Sequence, residues 1–211
     1  ADGHNFQLLQ FQLRQRAEQR FVTPVCDFRV LRAVQRHHGR PRQRLGHRAQ
    51  AFIAAEDKRF YEHDGADTQA IIRAAWANFT SGETVSGAST ITQQLIKNLV
   101  LTPEQTLRRK AQEVRLARQL EERLSKDEIL ELYLNRIYFG AGFYGLGAAS
   151  RFYFGKPPEE LTVGEASLLA TLPQAPPRLA LTNNLDDAKQ RQAYVLREMV
   201  NAGFISQRQA A

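Results

Sequence analysis

The pattern of hydrophobic and polar residues changes near residue 48. Before that point Gln, Arg and His dominate, and no apolar period is visible. After it, apolar residues recur about every 3.6 positions, as on the buried face of a helix, and no segment alternates with the period of two that is typical of strands. The pattern therefore predicts a basic, atypical leader over residues 1–48, disordered or foreign to the rest of the chain, and an all-α, mostly helical domain over residues 49–207.

Capping signals indicate where individual helices begin. Thr102 stands three residues before a glutamine, and Ser125 and Thr162 each stand three residues before a glutamate. In this arrangement the first side chain accepts a hydrogen bond from a backbone N–H, and the acid or amide bonds back to the cap. A last helix is predicted over residues 186–200, with Gly203 just beyond its end.

Composition and charge narrow the possible functions. The single cysteine, Cys26, excludes an intrachain disulfide and a Cys-based zinc cluster, and no apolar run reaches the ~18 residues of a membrane span. The net charge of +7 comes entirely from residues 1–50, which hold ten Arg and three acids, because residues 51–211 hold 19 basic and 19 acidic side chains. Nucleic-acid binding would therefore depend on the leader alone.

Glu56 is the first residue whose chemistry the pattern singles out. The segment around it predicts a helix, and the face that carries Glu56 also carries the apolar residues Phe52, Ile53 and Phe60. A carboxylate on an apolar face is unfavourable unless it is paired or has a raised pKa. A raised pKa suits a general acid or base near neutral pH, whereas a buried ion pair with an arginine is an equally good structural explanation.

Two polar segments come next along the chain. Residues 87–98 hold a row of Ser, Thr and Gln side chains, which suit sugar hydroxyls and amides, and Lys97, which suits a phosphate; the alternative is a polar loop that leads into a helix. On the next helix Glu113 lies at the edge of the apolar stripe, one turn after Arg109. The cations at 108–110 and this carboxylate suit a pyrophosphate or metal–phosphate site, although an ordinary charged helix face has the same pattern.

A fourth segment is better explained by packing. Glu131 and Asn135 form an i,i+4 polar pair on a largely apolar helix, and residues 139–145 are a run rich in glycine and aromatic residues. Such a run suits a tight turn and a close contact between helices.

Four motifs occur in order along the chain: Glu56-Asp57-x-x-Phe60-x-x-His63-x-Gly65; Gly87-x-Ser89-Thr90-Ile91-Thr92-Gln93-Gln94-Leu95-x-Lys97-Asn98; Arg109-Lys110-x-x-Glu113; and Lys126-x-x-Ile129-Leu130-Glu131-x-Tyr133-Leu134-Asn135. Their order and spacing resemble the peptidoglycan glycosyltransferase family, glycosyltransferase family 51. Residues 144–156 and 165–176 also match, so the resemblance covers residues 49–207. The leader does not resemble the family, and the sequence has no Ser-x-x-Lys motif that would indicate penicillin binding.

The resemblance implies a lysozyme-like, two-lobed helical fold and an enzyme that polymerises lipid II into glycan strands, with inversion and release of undecaprenyl pyrophosphate. It implies that Glu56 is the general base that takes the proton from the acceptor 4-hydroxyl, and that Glu113 is a second essential acid beside the pyrophosphate. A divalent cation, Mg²⁺ or Mn²⁺, is expected with Glu113 as a ligand, and no organic cofactor is expected. The implied substrate-binding residues are Asp57, His63, Arg73, Ser89, Thr90, Gln93, Gln94, Lys97, Asn98, Arg109, Lys110, Glu131 and Asn135.

The resemblance also implies partners and a location. The partners are lipid II, the growing glycan chain and the membrane surface at the periplasmic or extracytoplasmic face of the bacterial inner membrane. A transpeptidase domain or other cell-wall synthesis proteins are candidate partners, and nucleic acid is not expected. An apolar surface near residues 82–101, including Ile96 and Leu99, is expected to touch the bilayer.

Two other functions stay open on the sequence alone. One is a lysozyme-like glycoside hydrolase that uses Glu56 as its acid, and the other is a degenerate, non-catalytic module that binds lipid or, through the leader, nucleic acid. A pyrophosphate leaving group needs cations around it, whereas a hydrolase needs a proton donor to the leaving oxygen. The cations at 97 and 108–110 favour the transferase.

Overall fold

Helices make up the regular structure of the part of this protein that the structure describes. The structure, a computed structural model, describes residues 46–81, 88–99, 106–176, 178–179, 181–182 and 184–211. Within these ranges lie nine α-helices: α1 Gly46–Glu56, α2 Thr68–Ser81, α3 Ile91–Leu99, α4 Leu107–Glu121, α5 Lys126–Arg136, α6 Leu146–Phe154, α7 Val163–Leu169, α8 Leu185–Asn201 and α9 Gln207–Ala210. Two 3₁₀ turns, Pro158–Glu160 and Leu172–Gln174, flank α7. The same ranges contain no strand, and the all-α prediction is confirmed. The predicted leader lies outside them except for its last three residues.

Two groups of helices bury most of the apolar side chains. In one group α1 packs against α7 and α8, and in the other α3 packs against α4 and α5, while α6 contacts α5 and α7. Phe52 and Ile53 of α1 and Ile91 and Leu95 of α3 are almost completely buried. Each such side chain contributes about 1.5–3 kcal/mol through burial. The two groups therefore hold the end of α1 and the start of α3 in fixed positions.

The predicted capping boxes explain several helix boundaries. Ser125 and Thr162 both form complete capping boxes, at the starts of α5 and α7. The box predicted at Thr102 lies outside the described residues, and α4 begins at Leu107, where the side chain of Thr106 accepts from the backbone N–H of Arg109. The last long helix, α8, ends close to its predicted position, and Gly203 lies just beyond it with φ 70°.

The helix predicted around Glu56 is shorter than expected. α1 ends at Glu56, and the chain then makes a turn that contains Phe60. Phe60 is nonetheless fully buried, so the apolar surroundings predicted for Glu56 are present without the i+4 helical position. Because α1 ends at Glu56, Asp57 lies outside the helix, and its carboxylate points to the start of α3.

The expected apolar contact through Ile96 is wrong. Ile96 is only 2% exposed because α3 turns that face toward α4 and α5. Among the described residues, α2 carries an exposed apolar face, where Ile72, Trp76 and Phe79 are 67%, 69% and 85% exposed. The structure describes no helix that is both long and apolar enough to cross a bilayer.

Candidate active site

A groove of about 1250 Å³ contains the polar residues that the sequence singled out. Its lining comes from the end of α1, from α2, α3 and α4, from the second 3₁₀ turn and from α8. Both Glu56 and Glu113 line it, although they are 57 positions apart in the chain. The two carboxylates therefore face one common space.

Glu56 is held by uncharged groups. Its Oε2 accepts a hydrogen bond of 2.8 Å from the Gln94 amide nitrogen, and the Gln94 amide oxygen accepts one of 3.1 Å from the phenol of Tyr133. Burial raises the pKa of the Glu56 carboxyl, and the Gln94 bond and the positive charge of Arg191 oppose that shift. Glu56 therefore stays protonated to a higher pH than an ordinary carboxyl, which suits proton transfer near neutral pH.

Asp57 fixes the position of its neighbour Glu56. Both oxygens of its buried carboxylate lie 3.0 Å from Nε2 of His63, and Oδ2 also accepts from the backbone N–H of Ile91 at 3.0 Å. The second bond satisfies an N–H group at the start of α3 that has no partner within the helix. Asp57 thus connects the end of α1 to the helix that carries Gln94.

Close backbone contact brings the Glu56 segment against α4. Gly65 has φ 79°, and a Cβ there would lie 2.7 Å from backbone atoms of Ala117 and Arg118. The carbonyl of Gly65 accepts a 2.8 Å hydrogen bond from the hydroxyl of Thr90. Only glycine fits this backbone conformation and this contact without strain, and the contact places the Glu56 segment beside the helix that carries Glu113.

Glu113 is held by a cation. Its buried carboxylate accepts from the Lys110 ammonium at 2.6 Å, and the same ammonium donates to the hydroxyl of Ser89 at 2.8 Å. Arg109, the residue expected one turn before Glu113, also lines the groove, but the ion pair is made by Lys110. Sequence spacing thus placed Glu113 among the cations at 108–110, and the structure shows that Lys110 is the one that forms the 2.6 Å ion pair.

The groove is richer in cations than in acids. Among the described residues that line it, seven are Lys or Arg and four are Asp or Glu. Several of these cations already have carboxylate partners, such as Lys58, which lies 2.7 Å from Glu198. Lys97 is exposed and forms no ion pair with any described carboxylate. This balance favours an anionic ligand, and Lys97 is placed to contact it.

Most of the predicted site residues come together in the groove. Those that line it are Glu56, Asp57, Arg73, Ser89, Thr90, Gln94, Lys97, Asn98, Arg109, Lys110 and Glu113. Asp57 and Thr90 are buried, as Glu113 is, and they form their hydrogen bonds with protein groups that are not part of the groove lining. Their placement indicates a positioning role.

Four predicted contact residues are not brought into the groove. His63 is buried against Asp57, and Gln93 is buried and bonds to the backbone N–H of Thr90. Glu131 and Asn135 are exposed, because they lie opposite the buried face of α5. The predicted substrate contacts through these four residues therefore have no support from their positions.

Sequence reasoning missed several residues that line the groove, among them an acid, a cation and an aromatic residue. Asp67, Arg191 and Tyr194 all line it, and the Arg191 guanidinium lies 4.3 Å from the centre of the Tyr194 ring. Asp67 accepts from the backbone N–H of Ala70 at 2.9 Å and so caps the start of α2. The sequence signal for this cap was an aspartate directly before a helix, but no comparable signal marks Arg191 or Tyr194, which lie on α8 far from the motifs.

The described residues do not form a cation site by themselves. They include no cluster of three His, Cys, Asp or Glu side chains that could hold a metal ion, and one oxygen of Glu113 already bonds to Lys110. Mg²⁺ usually binds through one or two carboxylates together with the phosphates of a substrate. A divalent cation with Glu113 as a ligand therefore stays a prediction.

Comparison with known proteins identifies related chains. A family model described as Transglycosylase matches residues 31–200. Penicillin-binding protein 1A of Escherichia coli strain K12 is 52% identical over 159 residues, which cover 75% of this chain and 19% of that protein. Penicillin-binding protein 1F of Bacillus subtilis strain 168 is 47% identical over 161 residues, which cover 76% of this chain and 22% of that protein. The chain thus spans about a fifth of the length of these relatives.

Proposed function

Because this chain belongs to the transglycosylase family, the peptidoglycan glycosyltransferases with a lysozyme-like helical fold, we propose that it polymerises lipid II into glycan strands. The observation that carries the proposal is the shared groove, in which Glu56 and Glu113 face the same space among an excess of cations. A diphosphate leaving group carries its own negative charge, so cations stabilise its departure without a proton donor. This balance favours the transferase over a lysozyme-like hydrolase.

In the proposed reaction Glu56 is the general base. Its carboxylate takes the proton of the acceptor 4-hydroxyl as the hydroxyl oxygen forms a bond to the anomeric carbon of the growing chain. The bond from that carbon to the undecaprenyl diphosphate breaks with inversion, and the electron pair leaves with the diphosphate. The raised pKa of the Glu56 carboxyl makes the carboxylate a stronger base than an ordinary glutamate.

The cationic side of the groove would hold the departing diphosphate. Lys97 and Arg73 line the groove from α3 and α2, and Arg109 and Lys110 line it from α4. Lys110 is fixed between Ser89 and Glu113, so its charge has a defined position before the substrate binds. Glu113 acts through Lys110 in this account, by holding the ammonium in place.

The exposed apolar face of α2 would rest on the bilayer that carries the lipid-linked substrate. Ala70, Ala74 and Ala77 of this helix line the groove, whereas Ile72, Trp76 and Phe79 point to nearly the opposite side and are exposed. One helix would thus contact lipid with one face and limit the groove with the other. A location at the outer face of the bacterial inner membrane, and a transpeptidase domain as partner, belong to this proposal.

Vesicle binding tests the membrane contact. We expect Trp76→Ser combined with Phe79→Ser to weaken binding to phosphatidylglycerol-rich vesicles at least about tenfold. The reason is that two aromatic side chains that would be transferred from water into the lipid are then missing. The matched control is Phe152→Ser, which removes an exposed aromatic side chain of α6. If the wild type, the double variant and the Phe152→Ser control all bind vesicles equally, the assignment of this face to the membrane is overturned.

Product analysis tests the reaction itself. The protein is incubated with labelled lipid II and, separately, with finished peptidoglycan. Glycan strands and free undecaprenyl diphosphate from lipid II are the expected result. New reducing ends from finished peptidoglycan, without turnover of lipid II, would show a hydrolase, and neither product would show a non-catalytic module.

A further inference from the structure

A buried tyrosine lies behind the amide that binds Glu56. Tyr133 belongs to α5 and is completely buried, and its phenol donates to Oε1 of Gln94 at 3.1 Å. The other end of the same amide, Nε2, donates to Oε2 of Glu56 at 2.8 Å. Tyr133 does not line the groove, and its hydrogen-bonded connection to Glu56 runs through Gln94.

The phenol of Tyr133 is a reliable donor. Burial raises the pKa of this phenol well above its ordinary value, and the negative charges of Glu56 and Asp57 raise it further. The hydroxyl therefore keeps its hydrogen at neutral pH. It bonds to no other described residue, so its hydrogen has one acceptor there, the Gln94 oxygen.

The orientation of an amide decides whether it donates a hydrogen bond to a neighbouring carboxyl or accepts one from it. With its nitrogen toward Glu56, the Gln94 amide donates, which favours the ionised carboxylate. If the amide were turned over, its oxygen would face Glu56 and favour the protonated acid, and the hydrogen of the Tyr133 phenol would lose its acceptor in the buried interior. A buried donor without a partner is unfavourable, so the phenol selects the first orientation.

We propose that Tyr133 is a positioning residue that fixes the Gln94 amide and thereby holds Glu56 in the ionised form that a general base needs. The inference rests on the proposed role of Glu56. Burial is the largest influence on the pKa of Glu56 and raises it, and the charge of Asp57 raises it as well. The Gln94 amide and the charge of Arg191 on α8 lower it. By fixing the amide, the phenol therefore contributes to stabilising the carboxylate form of Glu56, which is the form that acts as a base.

Direct titration of Glu56 tests the proposal whether or not the protein turns over substrate. The side-chain carboxyl carbons of the glutamates are labelled with ¹³C and followed by NMR, and the Glu56 signal is assigned by its loss in Glu56→Gln. We expect Tyr133→Phe to raise the pKa of Glu56. The matched control is Tyr153→Phe, which removes a phenol that bonds to the Phe139 carbonyl, and no shift is expected there.

A second pair of variants separates positioning from a general change in packing. In Gln94→Leu the amide is absent, so adding Tyr133→Phe should leave the Glu56 titration where Gln94→Leu alone puts it. An unchanged Glu56 titration in Tyr133→Phe would overturn the proposal. So would a further shift in the double variant, because the tyrosine would then act by a route other than Gln94. The product analysis with lipid II fails or succeeds independently of both results.

Discussion

Glu56 and Glu113 line the same groove in opposite kinds of surroundings. Glu56 accepts from a neutral amide, and its pKa is raised by burial, whereas Glu113 is paired with an ammonium at 2.6 Å. A carboxyl without a direct cation and with a raised pKa is suited to take up and release a proton, whereas a carboxylate in a short ion pair fixes the position of its cation. The comparison therefore assigns proton transfer to Glu56 and the placing of a positive charge to Glu113.

The largest expected effect comes from removing the base. Glu56→Gln keeps the shape of the side chain and removes its ability to take a proton, so the rate of lipid II polymerisation should fall at least about 100-fold. The matched control is Glu122→Gln, at an exposed glutamate just beyond α4. A Glu56→Gln protein that polymerises lipid II at the wild-type rate would show that the proton is taken elsewhere.

Removing the cation beside Glu113 should have a smaller effect. Lys110→Met deletes the proposed charge-assisted hydrogen bond to the departing diphosphate, worth about 1.5–3 kcal/mol, so kcat/KM should fall roughly 10- to 100-fold. Lys110→Arg should recover part of the loss because it restores the charge. The control is Lys189→Met, an exposed lysine of α8. If neutralising Lys110 costs no more than neutralising Lys189, the cationic side of the groove is not what binds the diphosphate.

The smallest effect is on stability, and its sign is informative. The folded-state pKa of Glu56 is raised, so between its unfolded and folded values the folded protein binds more protons, and stability falls as the pH rises through that window. Glu56→Gln should therefore have the higher free energy of unfolding at pH 7, and the difference should shrink toward pH 4. Urea denaturation at both pH values measures this, and a destabilised Glu56→Gln at pH 7 would mean that Glu56 is held by a favourable ion pair.

Local sequence rules predicted the helices better than the site. The capping boxes at Ser125 and Thr162 form as predicted because they involve only neighbouring residues. Thr90 and Gln93 form the same kind of reciprocal bond at the start of α3, which their three-residue spacing could have indicated. The capping bonds give these two residues a local structural explanation, and their role as substrate contacts stays a prediction.

The groove itself depends on contacts that local patterns do not reveal. Lys126 begins the fourth motif, yet its ammonium binds Glu121 and the backbone carbonyl of His63, inside the protein. Arg191 and Tyr194 reach the groove from α8, more than 130 positions after Glu56, because α8 packs against α1. Helical periodicity placed these residues on a helix and could not say which distant element they would meet.

The pH dependence of lipid II polymerisation at low substrate concentration tests the role of Glu56 most directly. If Glu56 is the base, kcat/KM rises with pH as this carboxyl loses its proton, and the rise occurs above the ordinary glutamate pKa because burial raises that of Glu56. Tyr133→Phe should move the same rise to higher pH. A rate that instead falls as Glu56 ionises would mean that the protonated acid is the active form and would contradict the account.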